Sequence, residues 1–572
     1  MLLILLNWIF ITVIAFIFGF SIIQVFKYFI EKQDDIPVNF SIVVILGLIA
    51  LSALTSVITL FSKIGWVINV LIVIIALQYL LINYKKVWAY LSYYYAEVKK
   101  ANPWLKVLFF LSFILALIYS ASPSQNHDDG MYYMQTIKWI QNYAVVPGLG
   151  AIHGKLAFNS NWHVLSALFG FSYLGIPALN DLNGLLHIMV VTYAFTGLQS
   201  LMNGKFELAT ILKVLMFVPT FIFLKYFTAP TPDLVAIYLI WIAIIFLVKK
   251  IEEESLDVFN IRSLMIIVFC TYICTVKLSA IPISILAIYI FYKELRKKHY
   301  MHIVIIIIAV VDLLAPWFAR NVMQTGYLLF PFEHIDLFNF DWELTKERIV
   351  WEAAWIESWA RIPVMDADVV NAMKFSEWFP IWLKNLRIYD KFILGFILLS
   401  SVVYIIKTLI ILLKGKLVFN KINEGWFVVY LTLSAGIAMW FWKAPDFRFG
   451  YGFTLFFCFM VVAQLAKKHL FNKKPKLGIK ILYTTTVVCY LIPLFLTFTY
   501  YNDVLDAKNL VHPSPVVKPE ITKQVVGGQE FTITHTVKQC WDEPLPCIPP
   551  IKKEFELRTG DIQGGFRLVQ RD

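Results

Sequence analysis

Five short stretches of the sequence gather side chains that could do chemistry. In HDDGMYY, His127 to Tyr133, the carboxylates of Asp128 and Asp129 stand side by side, with an imidazole before them and the phenols of Tyr132 and Tyr133 just after. Adjacent carboxylates can divide roles, one acting as general base and the other orienting it or a metal ion. The same residues suit a helix start over Gly130–Tyr143, where an aspartate accepts backbone N–H bonds and favours the helix dipole. That accounts for one aspartate but not for His-Asp-Asp followed by paired tyrosines. In TAPTPDLVAIY, Asp233 follows Pro232 at the head of an apolar run, which is also an ordinary helix opening. Lys277 interrupts an apolar stretch in TVKLSAIP. An ammonium there must snorkel or find an anion, and a phosphate is one such anion. Arg320 in APWFARNVMQTGYLLFPF, and Arg448 in WKAPDFRFGYG with Lys443 and Asp446, are guanidinium groups of the kind that grip phosphate through paired bonds. Their competing partners are Asp312 for Arg320 and Asp446 for Arg448.

The elements that must position these residues are membrane spans. Hydrophobic residues make up 59% of the 572 and charged ones 15%, against about 25% charged in an ordinary soluble domain. Mean hydropathy is +0.70. A span needs roughly 20 apolar residues in helical form, and runs such as Ile42–Leu60 and Phe392–Leu413 supply them. Their continuous apolar character excludes a barrel, whose strands alternate. Spans are expected at 2–26, 38–60, 66–83, 107–121, 184–201, 208–227, 234–249, 263–276, 278–292, 302–317, 391–413, 425–442, 451–466 and 480–500. The fold class is therefore all-α and polytopic, with about 13–14 transmembrane helices, followed by a small β-containing tail. Residues 1–106 form N-terminal spans, 107–500 a membrane core, and 501–572 a C-terminal domain.

The net charge of +12 sits between the apolar runs, where it orients spans, and not in a basic strip that would read nucleic acid. Lys27/Lys32, Lys85/Lys86, Lys99/Lys100, Lys249/Lys250, the KELRKKH run at 293–299, Lys414/Lys416/Lys421 and Lys467 to Lys476 mark one side as cytoplasmic. Loops 122–183, 228–233, 318–390 and 443–450 and the tail then face outward. This alternation requires that Trp162–Tyr173 does not cross; about a dozen residues are too few, so the segment is expected to lie at, or dip into, the outer interface. All the candidate acids and cations then meet on the outer side, which is what an anionic, lipid-carried substrate requires.

These residues carry a resemblance. The acidic pair just after a span, the acidic residue in the next outer loop, the PWFARNVMQTGYLLFP stretch and the late APDFRFG loop are similar to the pattern of the GT-C superfamily of membrane glycosyltransferases. The stretch HDDGMYYMQTIKWIQNYAVVPGLGAIHGKLAFNSNWHVLSALF and the tail QCWDEPLPC…ELRTGDIQGGFRL resemble an uncharacterised family of bacterial multi-pass membrane proteins. The first likeness implies transfer of a sugar from a polyprenyl-phosphate-linked donor to a glycan, lipid or protein acceptor on the outer face of the membrane, and the second implies that the membrane is a bacterial inner one. Asp128 or Asp129 is then the base. Lys277, Arg320, Lys443 and Arg448 hold the lipid phosphate, and His127, Tyr133, His163 and Asp233 line the pocket. The motif is His-Asp-Asp, where many relatives have Asp-Glu or Asp-x-Asp, so the identity of the base stays open. No cofactor is fixed by the sequence, and a divalent metal, with Asp129 and Asp233 as candidate ligands, stays open.

In the tail, Cys540 and Cys547 bracket WDEPLP and read as a disulfide clamping a Pro-rich loop. FTITHTV at 531–537 alternates like a strand. Two other functions compete with transfer. A transporter or flippase would show internal repeats and ionisable groups near the midplane, whereas here they gather at a boundary. A non-catalytic envelope scaffold would use the loop aromatics Trp342, Trp351, Trp355, Trp359 and Trp378 as an interface, although an interfacial belt explains the same residues.

Overall fold

A computed structural model describes residues 1–30, 38–176, 179–413, 421–500, 507–526, 528–534, 539–549 and 555–569. Lys32, Lys414, Lys416 and positions 535–537 of the expected strand lie outside the described residues. The chain is a multi-pass helical protein. Among the described residues, 12 helices are long and apolar enough to cross a membrane. A further pair, Leu208–Leu215 and Thr220–Thr228, is bent by 46°, and Ile261–Val276 is a shorter apolar helix. These account for every expected apolar segment. The count of straight, full-length spans is nevertheless lower than expected, because Pro219 lies in the break of the bent pair and the 16 residues of Ile261–Val276 stop at Lys277.

Helix Pro232–Glu252 runs through the centre, its apolar window 94% buried, while Trp66–Lys100 and Ile388–Ile406 lie at the periphery at 17%. Leu2–Phe29 and Phe40–Ile58 cross closely. A Cβ on Gly19 would sit 1.9 Å from the Val43 carbonyl oxygen, and one on Gly47 1.7 Å from that of Ala15. Backbones approach this closely only over small residues, a common way of joining spans where apolar side chains gain nothing over lipid.

The segment expected at, or dipping in from, the outer interface is buried inside the protein. All nine residues of helix Asn161–Phe169 are buried. The last carbonyls of a helix lack intrahelical donors, and in a dry setting each needs one from elsewhere. Gln141 donates to Ala167 O at 3.1 Å, Asn69 to Leu168 O at 3.1 Å and Asn7 to Phe169 O at 3.3 Å. A nine-residue helix with supplied caps fits within the bundle, where an interfacial one would have left this end to water.

In the tail, Ile521–Val526 pairs antiparallel with Gln529–Thr534, which runs parallel to Cys547–Ile548; Phe555–Leu557 pairs antiparallel with Phe566–Leu568. Cys540 and Cys547 form a disulfide. Phe531, Phe555 and Phe566 share one core with Trp139, Leu149 and Leu156 of the first long loop and with Phe330 and Leu344 of the second. The tail is therefore packed onto both loops, and all three cover the same end of the bundle.

Candidate functional site

At that end, Asn126 accepts the backbone N–H of Asp128 at 3.1 Å and starts a turn that widens to a π-helix over Asp129–Tyr133. Single π-turns inside helices are rare and frequent at functional sites. Neither Asp128 nor Asp129 makes a capping bond, so the capping part of the helix-start explanation holds for neither. The Asp128 carboxylate accepts from Arg448 Nη1 at 2.8 Å. Arg448 opens helix Phe447–Ala466, whose N-cap Asp446 accepts the Arg448 backbone N–H at 3.0 Å and also lies 3.4 Å from its Nε. The pairing of Asp446 with Arg448 expected from sequence is therefore present, with Asp128 as the nearer partner.

The second acid–cation pair sits beside the first. Thr231 caps helix Pro232–Glu252 and places Asp233 in its first turn. Lys277, at the break after Ile261–Val276, binds the Asp233 carboxylate. The Lys277 ammonium also lies 3.9 Å from the ring centroid of Phe449, and the Arg448 guanidinium 4.6 Å from it. Phe449 thus carries both cations on one ring, a favourable cation–π arrangement when water is excluded. Sequence reasoning passed over Phe449, although it stands in the same RF pair as Arg448.

Asp129 is different in kind. It is 0% exposed, and neither carboxylate oxygen makes a hydrogen bond of ordinary geometry. Burial pushes its pKa up to about 7; the nearby Ser124 hydroxyl offsets part of this, and the Asp128 and Asp542 carboxylates add to it. Ser124 also lines a crevice with Ser122, Pro123, Met134, Thr228 and Trp541. Trp541, inside the disulfide loop, lies on the π-turn: its backbone N–H donates to Gly130 O at 2.9 Å. Gln135 donates to Trp541 O at 2.9 Å, and Lys138 pairs with Asp542 at 2.7 Å. Gly130 is required here, because a Cβ would lie 2.4 Å from the Trp541 ring. The tail loop is a cover over the acidic pair.

Tyr133 and His163 meet, their rings 4.8 Å apart. His163 is buried, and neither ring nitrogen makes an ordinary hydrogen bond. Burial holds its pKa down at about 3, with the Pro230 carbonyl acting against this and Arg320 adding to it, so His163 is a neutral imidazole at neutral pH.

Arg320 is 1% exposed and donates to Asn159 Oδ1 at 3.0 Å and to Thr59 Oγ1 at 2.7 Å. Asp312 is exposed on the same helix and forms no ion pair with it among the described residues. Arg320 therefore holds a buried guanidinium without a carboxylate partner among the described residues. His127 is exposed, and it is its backbone carbonyl that is used, accepting from Gln539 at 2.9 Å. Lys443 is 67% exposed and lies 3.8 Å from Glu357. The structure thus brings Asp128, Asp233, Lys277 and Arg448 together, with Asp129 next to Asp128 and with Tyr133 and His163 in contact; it holds Arg320 on Asn159 and Thr59 and leaves the side chains of His127 and Lys443 at the surface.

Asp128 and Asp233 are each committed to a cation. Among the described residues, the group in which three His, Cys, Asp or Glu side chains bring ligand atoms within 4.8 Å of one another is Glu294, His299 and His302. Among the described residues, Asp128, Asp129 and Asp233 do not form such a group of three.

A family model described as "Domain of unknown function (DUF8201)" matches residues 1–455. No curated protein and no protein of solved structure matches the chain.

Proposed function

From the premise that the chain belongs to the DUF8201 family, whose description states no activity, we propose that it is a membrane glycosyltransferase of GT-C type. In this reading it moves a sugar from a polyprenyl-phosphate-linked donor to a glycan, lipid or protein acceptor. The covered end of the bundle faces outward from a bacterial inner membrane, with the C-terminal domain extracytoplasmic.

The observation that carries the reading is Asp129. A buried carboxylate without a hydrogen bond of ordinary geometry among the described residues, its pKa near 7, is suited to take a proton at neutral pH. It is next in sequence to a carboxylate already fixed by a guanidinium. In the reaction, Asp129 takes the proton of an acceptor hydroxyl. The freed oxygen forms a bond to the anomeric carbon, and the bond from that carbon to the phosphate oxygen breaks with inversion. Arg448 and Lys277 receive the phosphate charge as it is released, exchanging part of their pairing with Asp128 and Asp233. Arg320 adds a buried positive charge that no acid in the described chain neutralises. Trp541 must move for substrate to reach Asp129, which makes the tail loop a gate and excludes water while closed.

The test is complementation of a strain lacking the chain with wild type, Asp129→Asn or Asp128→Asn. Surface glycans and lipid-linked sugars are profiled by mass, and membrane levels are checked by blot. The expected result is that Asp129→Asn is present at normal level, loses a glycan and accumulates a polyprenyl-linked sugar. Wild-type profiles in both variants would remove the assignment.

A further inference from the structure

At the other end of helix Leu278–Arg296, roughly 25 Å along the axis from Lys277, a second group of side chains converges. It is independent of the site above and of the activity proposed for it. Glu294 lies in the last turn of Leu278–Arg296, His302 in the first turn of Tyr300–Thr325, and His299 in the turn between them. His299 Nδ1 lies 2.9 Å and His302 Nδ1 2.7 Å from the same carboxylate oxygen, Glu294 Oε2. The other oxygen, Oε1, is held by Lys297 at 2.8 Å, and Lys297 is anchored in turn on the Asp257 carbonyl at 2.6 Å. The His302 ring is stacked on Phe259, 4.4 Å between centroids and 22° between planes. The Glu294 and His302 side chains are 3% and 14% exposed, while His299 is 51% exposed.

We propose that Glu294, His299 and His302 form a binding site for a zinc-class divalent transition metal that clamps the turn between these helices. One carboxylate and two imidazoles are a common zinc set, with distances to the metal of about 2.0–2.2 Å and a tetrahedral edge of about 3.3 Å between ligand atoms. The observed separations of 2.7 and 2.9 Å need only a small opening to admit the ion. Charge and protons balance. Each neutral imidazole that donates from Nδ1 shifts its proton to Nε2 when Nδ1 binds the metal, and the carboxylate stays ionised. Lys297 on Oε1 and Phe259 on His302 act as the supports that orient ligands in such sites. Exposed His299 provides the entry path, and the fourth position is left to water. Imidazole ligands select zinc-class ions over magnesium and calcium, which prefer oxygen. A buried carboxylate that needed only neutralising would be served by Lys297 alone; two rings meeting on its other oxygen are the additional feature that a metal explains.

The test uses the full chain in detergent, purified on an affinity tag without histidine, stripped with chelator and titrated with Zn²⁺ by calorimetry. Co²⁺ serves as a spectroscopic stand-in. The expected result is about one Zn²⁺ per chain, the visible bands of tetrahedral Co²⁺, and a rise in melting temperature on adding metal. His334→Ala, a surface histidine beside Glu333 at 3.7 Å, should leave all three unchanged, and Glu294→Gln should abolish them. His299→Ala, half-exposed and so tolerated by the fold, should weaken binding by about tenfold or more. A stripped wild type that takes up no Zn²⁺, or a His299→Ala chain that binds it as well as wild type, would overturn the proposal and leave a hydrogen-bonded cluster only.

Discussion

Arg448 holds Asp128 at 2.8 Å across 320 residues of sequence, joining the first long loop to the start of helix Phe447–Ala466. The side chains are only 23% and 18% exposed, so removing one partner strands the other charge where water solvates it poorly. Arg448→Ala is expected to lower stability by about 2–3 kcal/mol. The double variant Arg448→Ala/Asp128→Asn should recover part of that loss, with a coupling energy of about 1–3 kcal/mol. Thermal melts of the wild type, the single variants and the double variant in one detergent check it; additive losses would show that the pair is not coupled.

Asp129 sets the sign of a pH effect. Its folded pKa, about 7, stands above the ordinary value of 3.8. Folding therefore favours its neutral form; that stability is fully present below pH 4 and is lost as pH rises through 7. Asp129→Asn removes the penalty and should raise stability at pH 8 by on the order of 3 kcal/mol, with roughly a third of that effect at pH 5. Under the proposed activity the same substitution removes transfer, and the wild-type rate should climb through pH 7 as Asp129 ionises. Melts at both pH values check the first part, and a pH–rate profile the second.

What the sequence made legible was local, and what it hid was long-range. Apolar runs mark spans because a bilayer imposes length and continuity on each one separately. The acidic pair and the RF loop were visible because their residues are close in the chain. Nothing local says that Arg448 will reach Asp128, that Phe449 will carry both cations, or that Arg320 will take Asn159 and Thr59 instead of Asp312. Helix Asn161–Phe169 was judged by length, and length excludes crossing without saying whether the helix rests at the interface or is buried. The signal that could have decided it was Asn7 and Asn69, amides inside apolar spans, which are costly unless they meet an orphan carbonyl. The disulfide was readable from spacing, whereas the seating of Trp541 on Gly130 was not.

That seating predicts a sensitive glycine. With 2.4 Å between an added Cβ and the Trp541 ring, Gly130→Ala must push the disulfide loop outward or shift the π-turn, at a cost of about 1–3 kcal/mol. The loop should then be cut faster by protease. Gly130→Ala/Trp541→Ala removes the clash and should restore stability towards that of Trp541→Ala alone. Limited proteolysis with mass mapping of the tail, alongside melts, reads both effects; an unchanged cutting rate in Gly130→Ala would mean that the loop does not rest on the turn.

Asn7 joins two buried groups, donating to Phe169 O at 3.3 Å and to the Asp181 carboxylate at 3.1 Å. Burial raises the Asp181 pKa to about 7, and the bond from Asn7 is the largest influence holding it down. Asn7→Leu removes that bond, so the folded pKa rises further above its unfolded value and ionised Asp181 becomes costlier. At pH 5 the carboxyl is largely neutral with or without Asn7, and the substitution should cost about 1–3 kcal/mol for the stranded Phe169 carbonyl. At pH 8 it should cost more, because an ionised carboxylate has lost a donor as well. Asn69→Leu strips only the Leu168 carbonyl and should show no such pH dependence. Melts of both variants at pH 5 and pH 8 decide the matter: equal losses at the two pH values for Asn7→Leu would show that Asp181 does not lean on it.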